Sequence, residues 1–485
     1  MTPPYFIGVD VGTQGARAVL VDVAGNLMGS NGQTFELTET SLQEQSPEDW
    51  WQACFSSLKK LIAEVAAYID LTAIQAIAVT STSGTVIPLD GEDNPLHPAL
   101  MYSDKRSTAE GTRCRDAALL YAKGEFTAFN SSCGLAKMVW FNTAFPEKAK
   151  RLSRWIHAAD FITGKLTNCW GITDHSNALK SGYSIKDECW PNYLETILGV
   201  RKDWLPEVVA SGSPIAKLDA QLAKQFGLHE AVQVVAGITD GCASQIASGA
   251  ARLGDWNTTI GTTLVIKGVT SKPIHDPEGR LYNHRHPDGL SMPGGASNIG
   301  ADWISKEFKS DVDVLNEEAR TLLPTGIISY PLRQRGERFP FIAPTAEGFA
   351  PSGLSRAELF TANLESVAFV ERYAYEMVKA LSGENVSAVY TAGGGSNSDV
   401  WLTIRCNVMN IPIFKMKHGS GAVGAAILAA SQTCFSSLSQ AAKAMTQSEK
   451  EVHPEKALVE AYAEQYKVFL SVMKEKGYIG KPEYA

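Results

Sequence analysis

Asp10 stands on an otherwise apolar run, Tyr5-Phe-Ile-Gly-Val-Asp-Val11, immediately before Gly12-Thr13. A carboxylate in such a strand is costly unless it is paired, hydrogen-bonded or bound to a cation. It either caps its own turn or serves a ligand. Gly12-Thr-Gln-Gly15 favours the ligand, because glycines allow close backbone approach and the Thr13 hydroxyl can donate to an anionic oxygen. The pair reads as a corner for a phosphate and its metal. Gly261-Thr262-Thr263 offers the same turn chemistry much later in the chain. Alone it is an ordinary hairpin turn; two such turns, one per domain, could hold the phosphates of one nucleotide from opposite sides, with domain closure as part of catalysis.

Asp240, in Gly237-Ile-Thr-Asp-Gly-Cys-Ala243, follows a buried strand and precedes a helix. Its plain role is an N-cap; its chemical role is a general base that takes a hydroxyl proton as the hydroxyl attacks phosphorus. A carboxylate is a weak base toward an alcohol. It suffices where the proton moves late, in a loose transition state in which positioning and charge neutralisation supply most of the acceleration. Gly393-Gly-Gly-Ser-Asn-Ser-Asp-Val-Trp401 joins a strand to a helix through three glycines. It is either a flexible loop or a bare surface against which a purine can lie. Neither familiar nucleotide motif is present: no G-x-x-x-x-G-K-[ST] occurs, and the glycines after residue 10 do not follow G-x-G-x-x-G.

The elements that must position these residues are legible around them. Residues 5–11 and 16–22 form a hairpin over the Gly-Thr turn. Ser46-Pro47-Glu48-Asp49 supplies an N-cap, a first-turn proline and two acids ahead of Trp50, Trp51, Phe55, Leu58 and Ile62 at helical spacing. A strand over 74–79 ends in the polar run Thr80-Ser-Thr-Ser-Gly-Thr85. The pattern recurs with a strand over 232–236, an Ala/Ser-rich helix, and a second hairpin over 258–267. A further strand over 386–391 and a helix over 399–409 follow. From about residue 437 the chain reads as helical, with Leu458, Tyr462, Tyr466, Phe469 and Met473 spaced by three and four. Strands alternating with helices predict an α/β architecture of two related halves, with a short hinge near 235–255.

At roughly 150 residues per domain, the 485 residues predict two to four domains. Lys and Arg number 44 against 52 Asp and Glu, a net charge of -8 with no long basic run, so nucleic acid is not expected as a partner. The best apolar run, 421–430, is too short and too rich in Gly and Ala to span a membrane, and the N-terminus lacks a basic region followed by an apolar one. A cytoplasmic protein without a membrane partner is expected. Eight cysteines, with no Cys-x-x-Cys pair, read as reduced and mostly buried thiols.

Taken in order, the segments resemble the FGGY family of carbohydrate kinases over nearly the whole chain. Ile7-Gly-Val-Asp-Val-Gly-Thr-Gln-Gly15 is similar to the family's first phosphate motif, Asp240 to its catalytic base, and Thr259-Ile-Gly-Thr-Thr263 to its second phosphate motif. Gly336-Glu-Arg-Phe-Pro340 and Gly393 to Trp401 are similar to its C-terminal landmarks, the latter to the adenosine site. The resemblance implies a two-domain actin/hexokinase/Hsp70-like ATPase fold with an interdomain cleft. It implies an N-terminal domain over 1–248, a C-terminal domain over 249–435 and a helical segment over 436–485 able to pack back on the first domain.

It further implies ATP and Mg²⁺ as cofactors. Asp10 would hold Mg²⁺ and help position the sugar, Ser83 would hydrogen-bond it, and Asp240 would deprotonate the attacking hydroxyl. Gly12, Thr13, Gln14, Gly261 and Thr262 would border the phosphates, and Gly394, Gly395 and Asn397 the adenosine. Lys137, in Lys137-Met-Val-Trp140, Arg106, in Met101-Tyr-Ser-Asp-Lys-Arg106, and His175 stay outside the catalytic set. Where typical xylulokinases carry glutamine-glutamine-histidine-glycine, this chain has Thr80-Ser-Thr-Ser-Gly-Thr85. Thr82-Ser-Gly-Thr-Val86, Thr173-Asp-His-Ser-Asn-Ala-Leu-Lys-Ser-Gly-Tyr183 and Tyr330-Pro-Leu-Arg-Gln-Arg-Gly-Glu-Arg-Phe-Pro340 look most like cyanobacterial and plastid pentulose kinases that favour D-ribulose. The expectation is phosphorylation of D-ribulose to D-ribulose 5-phosphate by a monomer or homodimer, with D-xylulose as the alternative ketopentose. A catalytically silent nucleotide- or sugar-binding sensor is the alternative of a different class.

Overall fold

The computed structural model of the chain describes residues 3–121 and 128–480. Met1, Thr2 and the last five residues of the closing segment lie outside the described residues. The chain divides into two compact units. The first takes Met1–Ala247, His284–Gly289 and His418–Thr446; the second takes Ser248–Asn283, Leu290–Lys417 and Gln447–Ala485.

The first unit is built on β1 (Tyr5–Val11), β2 (Gly15–Asp22), β3 (Leu27–Thr34), β4 (Ile74–Ser81), β5 (Pro214–Lys217) and β6 (Gln233–Thr239). They lie in the order β5-β6-β4-β1-β2-β3. β1, β2 and β3 form an antiparallel meander, and β1, β4 and β6 run parallel. Asp10 is the one β1 residue that is not buried, as expected of a strand covered on both faces. The Pro47–Val65 helix starts as its sequence predicts: Ser46 caps it by accepting the Asp49 N–H, and Trp50, Trp51, Leu58 and Ile62 are buried. The Gly421–Ser431 helix, all small or aliphatic and wholly buried, packs on β1. Gly8 makes this approach possible, because a Cβ there would sit 1.8 Å from the Ala422 carbonyl oxygen.

The second unit repeats the plan with β7 (Asp255–Ile260), β8 (Leu264–Gly268), β9 (Tyr282–Arg285), β10 (Ser291–Ala296), β11 (Ala388–Ala392), β12 (Ile413–Met416) and β13 (Ser448–Val452). Their order is β9-β10-β8-β7-β11-β12-β13. β7, β8 and β10 are antiparallel, while β7, β11 and β12 are parallel. Its core gathers Trp256, Trp303, Trp401 and Phe369 with Tyr462, Tyr466, Phe469 and Met473 of the Lys456–Glu475 helix.

The Gly421–Ser431 helix, which falls in the expected C-terminal domain, groups with the first unit, where its small residues match the close approach of β1. The Lys456–Glu475 helix packs within the second unit, where its aromatic stripe joins the core. One element differs from expectation. A strand, β13, interrupts the region read as continuous helix; its Ser-Glu-Lys-Glu-Val pairs antiparallel with β12 at the sheet edge. Five of the eight cysteines are buried and all are free. Among the described residues no helix is long and apolar enough to cross a membrane.

Candidate functional site

In the first unit the carboxyl ends of three parallel strands come together, the place where open α/β sheets bind ligands. The register pairs Asp10 with Thr80 and Val11 with Ser81, and Ser81 with Thr239 on the far side. Asp240 follows directly as the first residue of the Asp240–Ala247 helix. Its Oδ1 accepts the Gly241 N–H at 2.7 Å, so the helix-start contact exists and the residue is nonetheless half-buried.

Asp10 carries the electrostatic signature of the site. Burial, and then the Asp240 carboxylate, push its carboxyl up to about 6, against the pull of Arg17. Among the described residues no hydrogen bond to its side chain offsets that burial. The Gly421–Ser431 helix begins against it: a Cβ on Gly421 would lie 2.8 Å from Asp10 Oδ2. Only glycine lets a helix N-terminus, with its unpaired N–H groups, come this close. The sequence reading noted that the 421–430 run is rich in Gly and Ala but used this only against a membrane span, and so missed Gly421.

Beyond β4 the chain turns through Thr82, Ser83 and Gly84. Gly84 has φ +87° and passes Ser132 so closely that a Cβ would meet its carbonyl oxygen at 2.2 Å. Thr82 and Thr85 hydroxyls pair at 2.9 Å. The Oγ atoms of Ser81 and Ser83 are buried and have no partner among the described residues. A buried hydroxyl without a partner is expensive, and both of these stand at or just past the end of β4.

The two Gly-Thr turns are tight. Gly12 N–H donates to the Gly15 carbonyl at 3.0 Å, and Gly261 N–H to the Thr263 carbonyl at 3.0 Å. Thr13 is held through its carbonyl, which accepts from Gln45 Nε2 at 3.0 Å. Gln14 points outward and its carbonyl accepts from Phe35 N–H at 3.0 Å. Thr262 is exposed. In the glycine run, Gly393 has φ +83° and a Cβ there would strike the Ile260 carbonyl at 2.5 Å; one on Gly395 would press on Ile260 and Trp401 at 2.9 Å. Gly394 meets nothing within 4 Å, as does Gly261, and Gly12 meets only the Gly15 oxygen at 3.7 Å. The fold demands some of these glycines; Gly12, Gly261 and Gly394 are the ones it does not demand. Asn397 is exposed, and its Oδ1 accepts from Lys415 Nζ at 3.3 Å, a contact absent from the sequence reading.

Asp10, Gly12, Thr13, Gln14, Ser83 and Asp240 thus belong to the first unit, and Gly261, Thr262, Gly394, Gly395 and Asn397 to the second. The residues left outside the catalytic set have structural partners. Lys137 is fully buried, donating to the Asp104 and Ser131 carbonyls, and burial drops its ammonium to about 8. Arg106 pairs with Asp104 and Glu44 and covers Trp140 at 4.5 Å. His175 packs near Tyr183, and burial lowers its pKa.

A Mg²⁺ ion needs only one or two carboxylates when substrate phosphates complete its shell. Asp10, partly desolvated beside a second carboxylate and without a hydrogen-bonding set of its own, fits that requirement. Among the described residues no group of three or more His, Cys, Asp or Glu side chains offers an all-protein cage.

Comparison with known proteins bears on the family and the fold. The N-terminal domain of the FGGY family of carbohydrate kinases matches residues 5–247, and its C-terminal domain matches residues 256–433. A xylulose kinase of Bacillus subtilis is 24% identical over 495 residues, covering 96% of both chains. A gluconokinase of Bacillus licheniformis is 25% identical over 450 residues, covering 87% of this chain and 86% of its own. The crystal structure of a xylulose kinase from Brucella ovis superposes with a TM-score of 0.86 at 24% identity, covering 98% of this chain and 99% of that one.

Proposed function

The chain belongs to the FGGY family of carbohydrate kinases, and from that premise we propose that it transfers the γ-phosphoryl group of ATP to the terminal hydroxyl of a ketopentose, D-ribulose. The observation that carries the reading is the meeting, at three neighbouring strand ends, of the Asp10 and Asp240 carboxylates with the unpartnered hydroxyls of Ser81 and Ser83. Such a place has a base, a counter-charge for a cation and free partners for sugar hydroxyls.

Asp240 takes the proton of the attacking hydroxyl. Because that proton moves late, its main task is to orient the oxygen toward phosphorus. Ser83, with Asp10 and Asp240, reads the sugar. Thr13 and Thr262 donate hydroxyl hydrogens to phosphate oxygens, and Gly12, Gln14 and Gly261 let the backbone approach them. Gly394, Gly395 and Asn397 border adenine and ribose, with Lys415 fixing which end of the Asn397 amide remains available. Asp10 would hold Mg²⁺, which would supply neutralisation of phosphate charge.

D-Ribulose and D-xylulose differ only in configuration at C3, so the choice rests on few side chains. The short Ser83 hydroxyl in Thr80-Ser-Thr-Ser-Gly-Thr85, where typical xylulokinases carry a histidine, favours D-ribulose. The naming of relatives as xylulose kinases favours D-xylulose as the second reading. ADP release with Mg·ATP, measured across D-ribulose, D-xylulose, L-ribulose, gluconate, glycerol and no sugar, separates them. The highest kcat/KM is expected for D-ribulose. A clear excess for D-xylulose would overturn the sugar assignment and leave the kinase; equal, sugar-independent ADP release would overturn the kinase reading.

A further inference from the structure

The strand that delivers Asp240 is not held by its sheet alone. The register between β6 and β4 shifts between Val235 and Ile238. Gly237 lies so close to the Val79 carbonyl that a Cβ would sit 2.2 Å from its oxygen. A bulge of this kind re-aims the strand beyond it, and where the ladder resumes at Ile238 and Thr239 two side chains reinforce it. Thr80 Oγ1 donates to the Ile238 carbonyl at 2.7 Å. The next N–H, that of Thr239, donates to Ser176 Oγ at 2.9 Å.

Ser176 accepts in this direction because its own proton is committed: its hydroxyl donates to Asp174 Oδ1 at 2.5 Å. Asp174 is 1% exposed and faces donors. Ser176 N–H at 2.7 Å, Asn177 N–H at 3.3 Å and the Ser211 hydroxyl at 3.1 Å reach Oδ1, and the Asn177 amide reaches Oδ2. A ring of donors requires an acceptor-only group at its centre. Ser176 is equally buried.

We infer that Asp174 and Ser176 are positioning residues for Asp240. Asp174 orients the Ser176 hydroxyl, the hydroxyl anchors the Thr239 N–H, and that anchor sets the direction in which the next residue presents its carboxylate. The inference rests on Asp240 being the base. Both residues lie in a segment that the sequence linked only to substrate branch, and both act through the backbone of β6. Misplacing a reacting group by about 1 Å costs on the order of 10²-fold in rate, so the anchor has a kinetic consequence.

The test uses the full-length enzyme with Mg·ATP and its best sugar. Ser176→Ala removes the acceptor alone, and Asp174→Asn presents an amide to the ring of donors. Each is expected to lower kcat about 10- to 100-fold with KM for sugar and for ATP within about twofold. The double variant is expected to lose no more than the weaker single, because both act through one hydrogen bond. In an Asp240→Asn background, Ser176→Ala should cost nothing further. A Ser176→Ala kcat within about twofold of wild type, or an equal loss in the Asp240→Asn background, overturns the inference. If Asp174→Asn does not fold, Ser176→Ala carries the test. Wild-type turnover by Asp240→Asn would instead overturn the assignment of the base, a result distinct from failure of the anchor.

Discussion

The two halves share a strand plan and part company in their charges. In each, a run of three antiparallel strands feeds two parallel strands, and a final antiparallel strand closes the far edge, while the second half carries β9 as a seventh strand at its other edge. The first turn carries Gly12-Thr13 in one and Gly261-Thr262 in the other. Two residues before the turn stands Asp10 in the first half and Thr259 in the second, where the threonine hydroxyl is occupied by Asn257 Oδ1 at 2.9 Å. The second parallel strand ends in hydroxyls at 80–85 in the first half and in glycines at 393–395 in the second. Buried charge follows the same division. Glu371 and Arg405, both fully buried, form a two-point pair at 2.7 and 2.8 Å, and Asp276 and Arg280 do likewise. Among the described residues Asp10 has no comparable partner, and its pKa is raised. Charge that is matched in place builds structure, whereas charge left for a ligand to match is the mark of a site.

Asp10→Asn tests that contrast most severely. Turnover should fall about 10²-fold or more, since the variant removes the counter-charge for the cation. Stability should rise. With a folded-state pKa near 6 against 3.8 for the free group, ionised Asp10 penalises the folded state; the penalty is absent below the unfolded pKa, grows as pH rises between these values, and reaches at most about 3 kcal/mol above them. Urea unfolding should therefore show the variant more stable at pH 7.5 and equal to wild type near pH 3.5. Equal stability at both would remove the claim that this acid is uncompensated.

Glu371→Gln should do the opposite. Stranding the buried Arg405 guanidinium is expected to cost about 3–5 kcal/mol in urea unfolding. A loss below about 1 kcal/mol would show the pair to be no more than a surface-like contact.

The smallest effect separates the glycines of the second half. Gly394→Ala should leave Tm within about 1 °C, since a methyl there meets nothing within 4 Å, and on the proposed reading should raise KM for ATP a few-fold. Gly395→Ala, which would press on Ile260 and Trp401, should lower stability by about 1–3 kcal/mol. The reverse pattern would assign Gly394 to the fold.

Much of this was legible in local sequence. Turn residues and apolar runs located both hairpins, and Ser46-Pro47 announced the helix that Ser46 caps. The helix over 399–409 has the bounds its periodicity predicts. The strand read over 232–236 continues to Thr239, because Gly237, which looks like a breaker, is the residue that allows contact with Val79.

Sequence by itself determined the α/β alternation, the paired Gly-Thr turns and the residue types able to do phosphoryl chemistry, because propensity, period and turn preference are written over a few neighbouring positions. Tertiary structure alone decided that Asp240 stands close enough to raise the Asp10 pKa and that Gly421 brings a helix end to Asp10. It also decided that Ser81 and Ser83 go unpartnered and that Ser176 holds the backbone before Asp240. These depend on which strand ends meet, and residues far apart in the chain acquire a common solvent, a common charge balance and a common set of hydrogen-bond partners only when the sheet assembles.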